Sequence, residues 1–459
     1  MDHHTISAEN PARPPSLTRR ERRHARTRRR VATLVVAPLV LAVLAVATMG
    51  AAPSRGAEPF AADADETIAD LQSYWAATMP SVYGESYQAI SADRLFPYSQ
   101  ADPPPGCGTR GDTPYAQVAG NAFYCSVSDF VAWDTQQLFP KLTQQFGAFA
   151  PALVLAHEWG HAIQARVGFD ADESVYVEQQ ADCFAGAWAG HVASGESDLS
   201  VSSDDLDRAL AGMLQLSDPV GVDGSQDGAH GNGFDRVGAF QDGVEGGASA
   251  CAAYEDDPPA VTESGFTSSA DYATGGDMSL TSLLPELEQA LDTYWSNAVG
   301  TKFDAPKLVA STGNSSCDGP SDGGVLVDSV VYCADSNIVV YDPATLREAH
   351  SSVGDFAAGI LVATGWSSAV QHDLGRAIEG KAAWRSAECL AGAFSAGVDG
   401  SRSRSSSSSA TMTLSPGDLD EVVSMLVGAH GGDERGTAFE RVAAFRTGWS
   451  KGASACTTS

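Results

Sequence analysis

His157-Glu158-Trp159-Gly160-His161 lies inside an apolar stretch, Pro151 to Val167, that reads as one buried helix. Positions i and i+4 share a helix face, so the two imidazoles point the same way. That spacing lets both grip one Zn²⁺ ion, while Glu158 stands beside the metal as a base for water. With this chain's His and Glu frequencies, the pattern arises by chance with odds on the order of 1 in 100. The competing reading is a buried helix with two solvent-side histidines, and the residues downstream weigh against it.

A catalytic zinc takes three protein ligands and keeps one position open. Two are His157 and His161. The next helical stretch, Ser174 to His191, carries Glu178-Gln179-Gln180-Ala181-Asp182. Glu178 and Asp182 are four apart and share a face. Glu178 is the expected third ligand, and Asp182 the expected acceptor for the outer N–H of a ligating histidine. Alone, Glu178 would read as a solvated carboxylate. Asp182, between Ala181 and Cys183-Phe184, sits in too apolar a setting for an ordinary surface residue.

These two stretches, His157 to Gln164 and Glu178 to Trp188, resemble the bacterial neutral zinc metallopeptidase family. So do Phe123-Tyr124-Cys125 and His230-Gly231 with Arg236 and Phe240, and the resemblance covers about residues 66 to 253. It implies a zincin-like fold and peptide hydrolysis. The wider arrangement also resembles the thermolysin-like gluzincins, which implies Glu178 as ligand and Asp182 as its supporting carboxylate. Ala162 stands where the family often has a further His, and Asn232 and Asp235 replace its Ser and Gln. His230 is a candidate catalytic donor to the oxyanion of hydrolysis. The other reading of it is an exposed His in a Gly-rich loop.

From residue 66 onward the chain is written twice. Tyr74-Trp75 returns as Tyr294-Trp295, Trp159 as Trp366, and Gly247-Ala248-Ser249-Ala250-Cys251 letter for letter as Gly452 to Cys456. The offset falls from 220 (294 − 74) to 205 (456 − 251), as in a tandem duplication trimmed by deletions. The repeat unit is a domain rather than a solenoid module. If each copy keeps its own bridges, four cysteines leave three pairings per copy. The expected set is Cys107–Cys125 and Cys183–Cys251, mirrored by Cys317–Cys333 and Cys389–Cys456. Thr364, Gly365, Ser368 and Trp384 stand in the second copy for His157, Glu158, His161 and Glu178. One Zn²⁺ is therefore expected, in the first copy only, and the second reads as a pseudoenzyme domain that packs against the first, restricts access or binds a partner.

Each copy reads as helix, turn, strand pair, two helices, loop and helix, an α+β arrangement of a small sheet beside a motif helix and a ligand helix. Phe123–Cys125 and Phe130–Trp133 suggest a hairpin, and the strand Phe130 to Trp133 is expected to pair with an extended peptide. Pro151 suits the motif helix's first turn and Gly168 its end. The stretches around Ser194 to Asp205 and Gly400 to Ala410 read as exposed loops. The expected domains are a basic tail (1–30), an apolar segment (31–52), a linker (53–65), the peptidase domain (66–253), an acidic linker (254–280) and the second copy (281–459).

Val31 to Ala52 carries no charge and is long enough to span a bilayer. Nine Arg precede it, which puts the N-terminus in the cytoplasm and the body outside. An uncleaved anchor and a signal peptide cut near Gly50-Ala51-Ala52, giving a secreted body, both remain open; Pro53 favours the anchor. Eight cysteines, all beyond that segment, suit an oxidising compartment. A net charge of −30 on 459 residues argues against nucleic acid as partner of the body. The leading reading is a membrane-anchored peptidase acting on peptide or protein substrates. Rivals are a non-catalytic zinc-containing surface protein and a hydrolase of peptidoglycan cross-links.

Overall fold

The motif helix forms because residues 149–167 are apolar on nearly every side, the composition of a helix surrounded by protein. It is α3 (Phe149–Val167) of a computed structural model that describes residues 60–456, apart from residues 61, 109–110, 170, 172, 223, 225, 227, 263–264, 267, 300–302, 312–316, 318–329, 400–411 and 429–434. The helix starts two residues before Pro151, whose missing N–H falls in the first turn, where no intrahelical partner exists. Gly168 ends it at φ 68°, a left-handed conformation that suits glycine.

Before it come α1 (Ala64–Tyr83), β1 (Leu95–Tyr98), β2 (Ala122–Cys125), β3 (Phe130–Asp134) and α2 (Leu138–Phe146). After it come α4 (Ser174–Ala193), α5 (Ser203–Gln215) and α6 (Gly233–Ala253). The sheet has three strands in the order β1-β3-β2, β1 parallel and β2 antiparallel to β3. The hairpin β2–β3 is where the residue pattern puts it. The edge is not: β3, flanked on both sides, has no side left for a peptide, and the strand without a second neighbour next to α3 is β2. β1 escapes sequence reading because it is short and contains Pro97, which an edge strand tolerates.

Packing against α3 is close because small residues sit at the crossings. A Cβ on Gly160 would come 2.8 Å from the Ala181 Cα of α4. A Cβ on Gly186 would run into the Phe240 carbonyl of α6, and one on Gly243 into the Cys183 carbonyl of α4. The α4–α6 pair is locked further by Cys183–Cys251, and Cys107–Cys125 ties the loop after β1 to β2. Trp75, Trp159, Trp188, Phe184 and Phe240 fill the core. That core begins upstream of residue 66, because Phe60 is buried against Phe149 with ring centroids 5.0 Å apart. The segment 194–205 is not wholly an exposed loop either: Ser202 caps α5, and Asp205 is buried in that cap.

The second half follows the same order: α7 (Leu280–Val299), β4 (Lys307–Ala310), β5 (Val330–Cys333), β6 (Ile338–Tyr341), α8 (Pro343–Ser352), α9 (Asp355–Asp373), α10 (Lys381–Val398), α11 (Asp418–Gly428) and α12 (Ala438–Lys451). Its sheet is β4-β6-β5, with the same parallel and antiparallel pairs. Cys317–Cys333 and Cys389–Cys456 are formed, and Gly392 and Gly448 repeat the close approaches of Gly186 and Gly243.

The halves hold each other by exchanged helix caps. Asp420 of α11 accepts the N–H groups of Gly233 (3.0 Å) and Phe234 (2.8 Å) at the start of α6. Asp207 of α5 accepts those of Ala438 and Phe439, both at 2.9 Å, at the start of α12. Arg446 adds contacts to Gln241 and Asp242. Between the halves, the segment read as an acidic linker holds one helical turn, Ser269–Thr274. Among the described residues no helix is long and apolar enough to cross a membrane; residues 1–59, with the apolar segment 31–52, and the Ser run 400–410 lie outside them.

If the α4–α6 contact is as tight as the backbone indicates, Gly186→Ala should destabilise the protein by about 2–3 kcal/mol. Urea unfolding measures it, and an unchanged midpoint would contradict the close approach.

Candidate metal centre

Three side chains from two helices converge. His157 and His161 lie one turn apart on α3, and Glu178 faces them from α4. His157 Nε2 is 3.1 Å from His161 Nε2 and 3.2 Å from Glu178 Oε2, and His161 Nε2 is 3.4 Å from Glu178 Oε1.

The outer ring nitrogens show why this cluster fits a cation. His157 Nδ1 lies 2.7 Å from Asp182 Oδ1, and an ionised carboxylate only accepts, so Nδ1 carries the proton. His161 Nδ1 lies 2.8 Å from Gln164 Oε1. The Gln164 amide donates its NH₂ to the Val177 carbonyl and to Gln180, so its oxygen is an acceptor and His161 Nδ1 is also a donor. Both Nε2 atoms of the neutral rings then present lone pairs to each other and to a carboxylate. Glu178 Oε2 is buried without a hydrogen-bond partner. Lone pairs of two imidazoles and one carboxylate around a point are a donor set for Zn²⁺, and these residues fit the ion.

Without a metal, protons must do the neutralising. Burial disfavours the His157 imidazolium, but the Asp182 and Glu178 carboxylates outweigh it and push His157 up to about 10. His161 is raised as well, burial being overcome by Glu178. Burial would raise the Glu178 carboxyl, yet His161 and His230 hold it well below the ordinary range.

Asp182 is itself braced. Arg236 of α6 donates from Nε to Oδ2 at 2.8 Å and from Nη2 to Oδ1 at 3.0 Å, a two-pronged contact almost fully shielded from water. Burial works to raise the Asp182 carboxyl, but Arg236 and His157 keep it below its ordinary value. Glu158, one residue past His157, points toward the sheet and accepts the Tyr124 N–H at 2.7 Å. His230 sits on a loop pinned by Asp218, which accepts the N–H groups of His230 (2.6 Å) and Gly231 (2.9 Å). It lines the same cavity, of about 80 Å³, as His157, Glu158, Asp182 and Arg236. Leu138, Leu142, Leu153, Val154, Met213 and Leu216 give that cavity an apolar wall.

Six residues singled out in the sequence are therefore brought together: His157, Glu158, His161, Glu178, Asp182 and His230. Two others were missed in their roles. Gln164 follows His161 by three residues, a spacing that puts it beside the ring, so helical periodicity could have found it. Arg236 enters the resemblance, but nothing local to it points at Asp182.

In the second half the equivalent positions hold Thr364, Gly365, Ser368 and Trp384. Arg441 still pairs with Glu388, at 2.6 Å, as Arg236 does with Asp182.

Comparison with known proteins agrees with the chemistry of the cluster. The family described as "Putative neutral zinc metallopeptidase" matches residues 45–254 of the chain. Among curated proteins, "Uncharacterized protein Rv2575" of Mycobacterium tuberculosis is 32% identical over 134 residues, covering 25% of this chain and 43% of its own. "Uncharacterized protein YpfJ" of Escherichia coli is 30% identical over 131 residues, covering 25% of this chain and 42% of its own. The chain thus spans somewhat under half the length of these relatives. No solved structure matches.

Asp182→Asn should weaken zinc binding roughly 10- to 100-fold, since an amide loses the charge and keeps one acceptor oxygen where His157 and Arg236 use two; competition with a chromogenic chelator measures this, and an unchanged affinity would remove the assigned role. The raised His157 pKa also has a signed consequence for the metal-free protein. Its stabilisation is complete below 6.5, the ordinary value, and is lost as pH climbs through about 10. Chelated protein should lose stability across that window, while zinc, competing with the same proton, should bind more tightly as pH rises. Denaturation midpoints measured in chelator from pH 6.5 to 10 check the first part, and a flat profile would contradict it.

Proposed function

We propose that this protein is a zinc-dependent peptidase whose chemistry resides in the first half, held outside the cytoplasm by the apolar segment 31–52. The observation that carries the reading is the convergence of the His157 and His161 lone pairs with Glu178, beside the Glu158 carboxylate. The domain is read as zincin-like, and the second half as a duplicate without ligands, so that one Zn²⁺ is bound per chain.

His157, His161 and Glu178 would hold the zinc ion, which would supply Lewis acidity toward the scissile carbonyl and the attacking water. Glu158 is the base: it takes a proton from the attacking water and returns it to the leaving amine. To do so it gives up the Tyr124 N–H, which then becomes available to the substrate backbone. The peptide lies along the free edge of β2, in place of the β3 edge expected from the sequence, because β2 borders both the ligands and the cavity. His230, fixed by Asp218 on the cavity wall, is the donor to the oxyanion. The apolar wall of Leu138, Leu142 and Met213 suits an apolar side chain next to the cleaved bond.

Glu158→Gln tests the reading. It should lower turnover on a peptide library by roughly 10²-fold or more while the protein keeps one zinc per chain. Peptidase activity that survives in this variant, or zinc absent from the wild type, would end the proposal.

A further inference from the structure

The start of the second half's long helix holds a second group of charged side chains, unrelated to the zinc ligands. Asp277, Asp355 and Glu421 each place a carboxylate oxygen within 4.8 Å of the others. Asp418 adds a fourth carboxylate, itself buried and held by Ser415 at the cap of α11. Asp355 is 2% exposed; its Oδ2 accepts the Met278 N–H at 2.7 Å, but its Oδ1 is buried with no hydrogen-bond partner. A buried, unpartnered carboxylate oxygen among other carboxylates is costly unless something positive meets it.

The first half shows what meets it there. Ser202, Asp205 and Asp207 match Ser415, Asp418 and Asp420 in sequence and in capping contacts. Next in line, Arg208 stands where Glu421 does, and Arg208 Nη2 pairs with Asp205 Oδ1 at 2.9 Å. Gly147-Ala148-Phe149 likewise matches Gly354-Asp355-Phe356. A Cβ on Gly147 would touch the Arg208 guanidinium, and one on Gly354 the Glu421 carboxyl, so the two side chains occupy equivalent places. Between the halves Ala148 has become Asp355 and Arg208 has become Glu421. The local charge thereby changes by three units, from one cation to two anions.

We propose that this cluster is a Ca²⁺ site, with Asp355, Glu421 and Asp277 as ligands and Asp418 as a supporting carboxylate, the ion doing for the second half what Arg208 does for the first. Side-chain oxygens alone, several of them charged, favour a hard cation that accepts many oxygen ligands. Asp355 and Asp418 also line a cavity of about 450 Å³ between the halves, which gives an ion a way in. A bound ion would tie together three segments distant in sequence: the turn before α7, the start of α9 and the start of α11.

The test uses the full chain with its zinc site intact and CaCl₂ as probe. Calorimetric titration should find one Ca²⁺ per chain, and saturating Ca²⁺ should raise the unfolding midpoint by roughly 3–5 °C. The double variant Asp355→Ala with Glu421→Arg rebuilds the first half's constellation. It should fold without Ca²⁺, bind none at this site and show no such rise. If that variant does not fold, Asp355→Asn alone should still abolish the titration. A wild type that binds no Ca²⁺, or a midpoint that rises equally in wild type and variant, would overturn the proposal and leave protonation as what neutralises the cluster.

Discussion

The Asp182 carboxylate, almost fully shielded from water, takes the His157 ring on one side and the Arg236 guanidinium on the other. A lone buried carboxylate would be strongly destabilising, so at least one of these partners is required. The first contact sets a ring tautomer, a matter of chemistry. The second joins α4 to α6, a matter of fold. The second half separates these two duties. Arg441 still reaches Glu388 across the same helix crossing, yet with no histidine on the far side, Glu388 Oε2 is buried without a partner. Its carboxyl is accordingly raised by burial, against the pull of Arg441, where Asp182 is lowered. The brace thus serves the helix crossing in both halves and the His157 ring in one.

Helix starts expose N–H groups that need acceptors, and the two halves solve this for each other. Asp420 caps α6 while Asp207 caps α12, residues in equivalent places acting on equivalent helices. Such reciprocity is the signature of a two-fold interface, here written into a single chain. It also reaches the metal cluster, because α6 carries Arg236 two residues beyond the capped Phe234. A carboxylate of the second half therefore steadies the helix that braces Asp182 in the first.

What could be read from the sequence was what helical spacing and the internal repeat encode. His157, His161, Glu178 and Asp182 come from i, i+4 periodicity, and the cysteine pairs from comparing the copies. What could not be read depends on contacts between distant segments. β1 is hidden by Pro97, and that it pairs with β3, leaving β2 as the edge beside α3, is a matter of topology that a hairpin pattern does not contain. The Arg236–Asp182 pair spans 54 residues and the Asp420 cap about 187, beyond the reach of any local signal. Asp205 looked like part of a polar surface loop because its cap and its contact to Phe60 bury it only once the fold exists.

The comparison of halves also shows how space for chemistry is kept. In the first, Ala122 on β2 leaves room above α3, and Glu158 fills it by reaching the Tyr124 N–H. In the second, the equivalent strand residue is Val330 and the equivalent helix residue is Gly365. A Cβ on Gly365 would already come 2.7 Å from Val330 Cγ1. Small strand residue with large helix residue has been exchanged for the reverse, a volume-conserving swap that a tightly packed interior tolerates well. A glutamate at position 365 would therefore find its space taken, because Val330 occupies the place its side chain needs. On that helix Thr364 donates to the Ile360 carbonyl and Ser367 to that of Ala363. Packing, as much as the absence of histidines at 364 and 368, distinguishes this helix from α3.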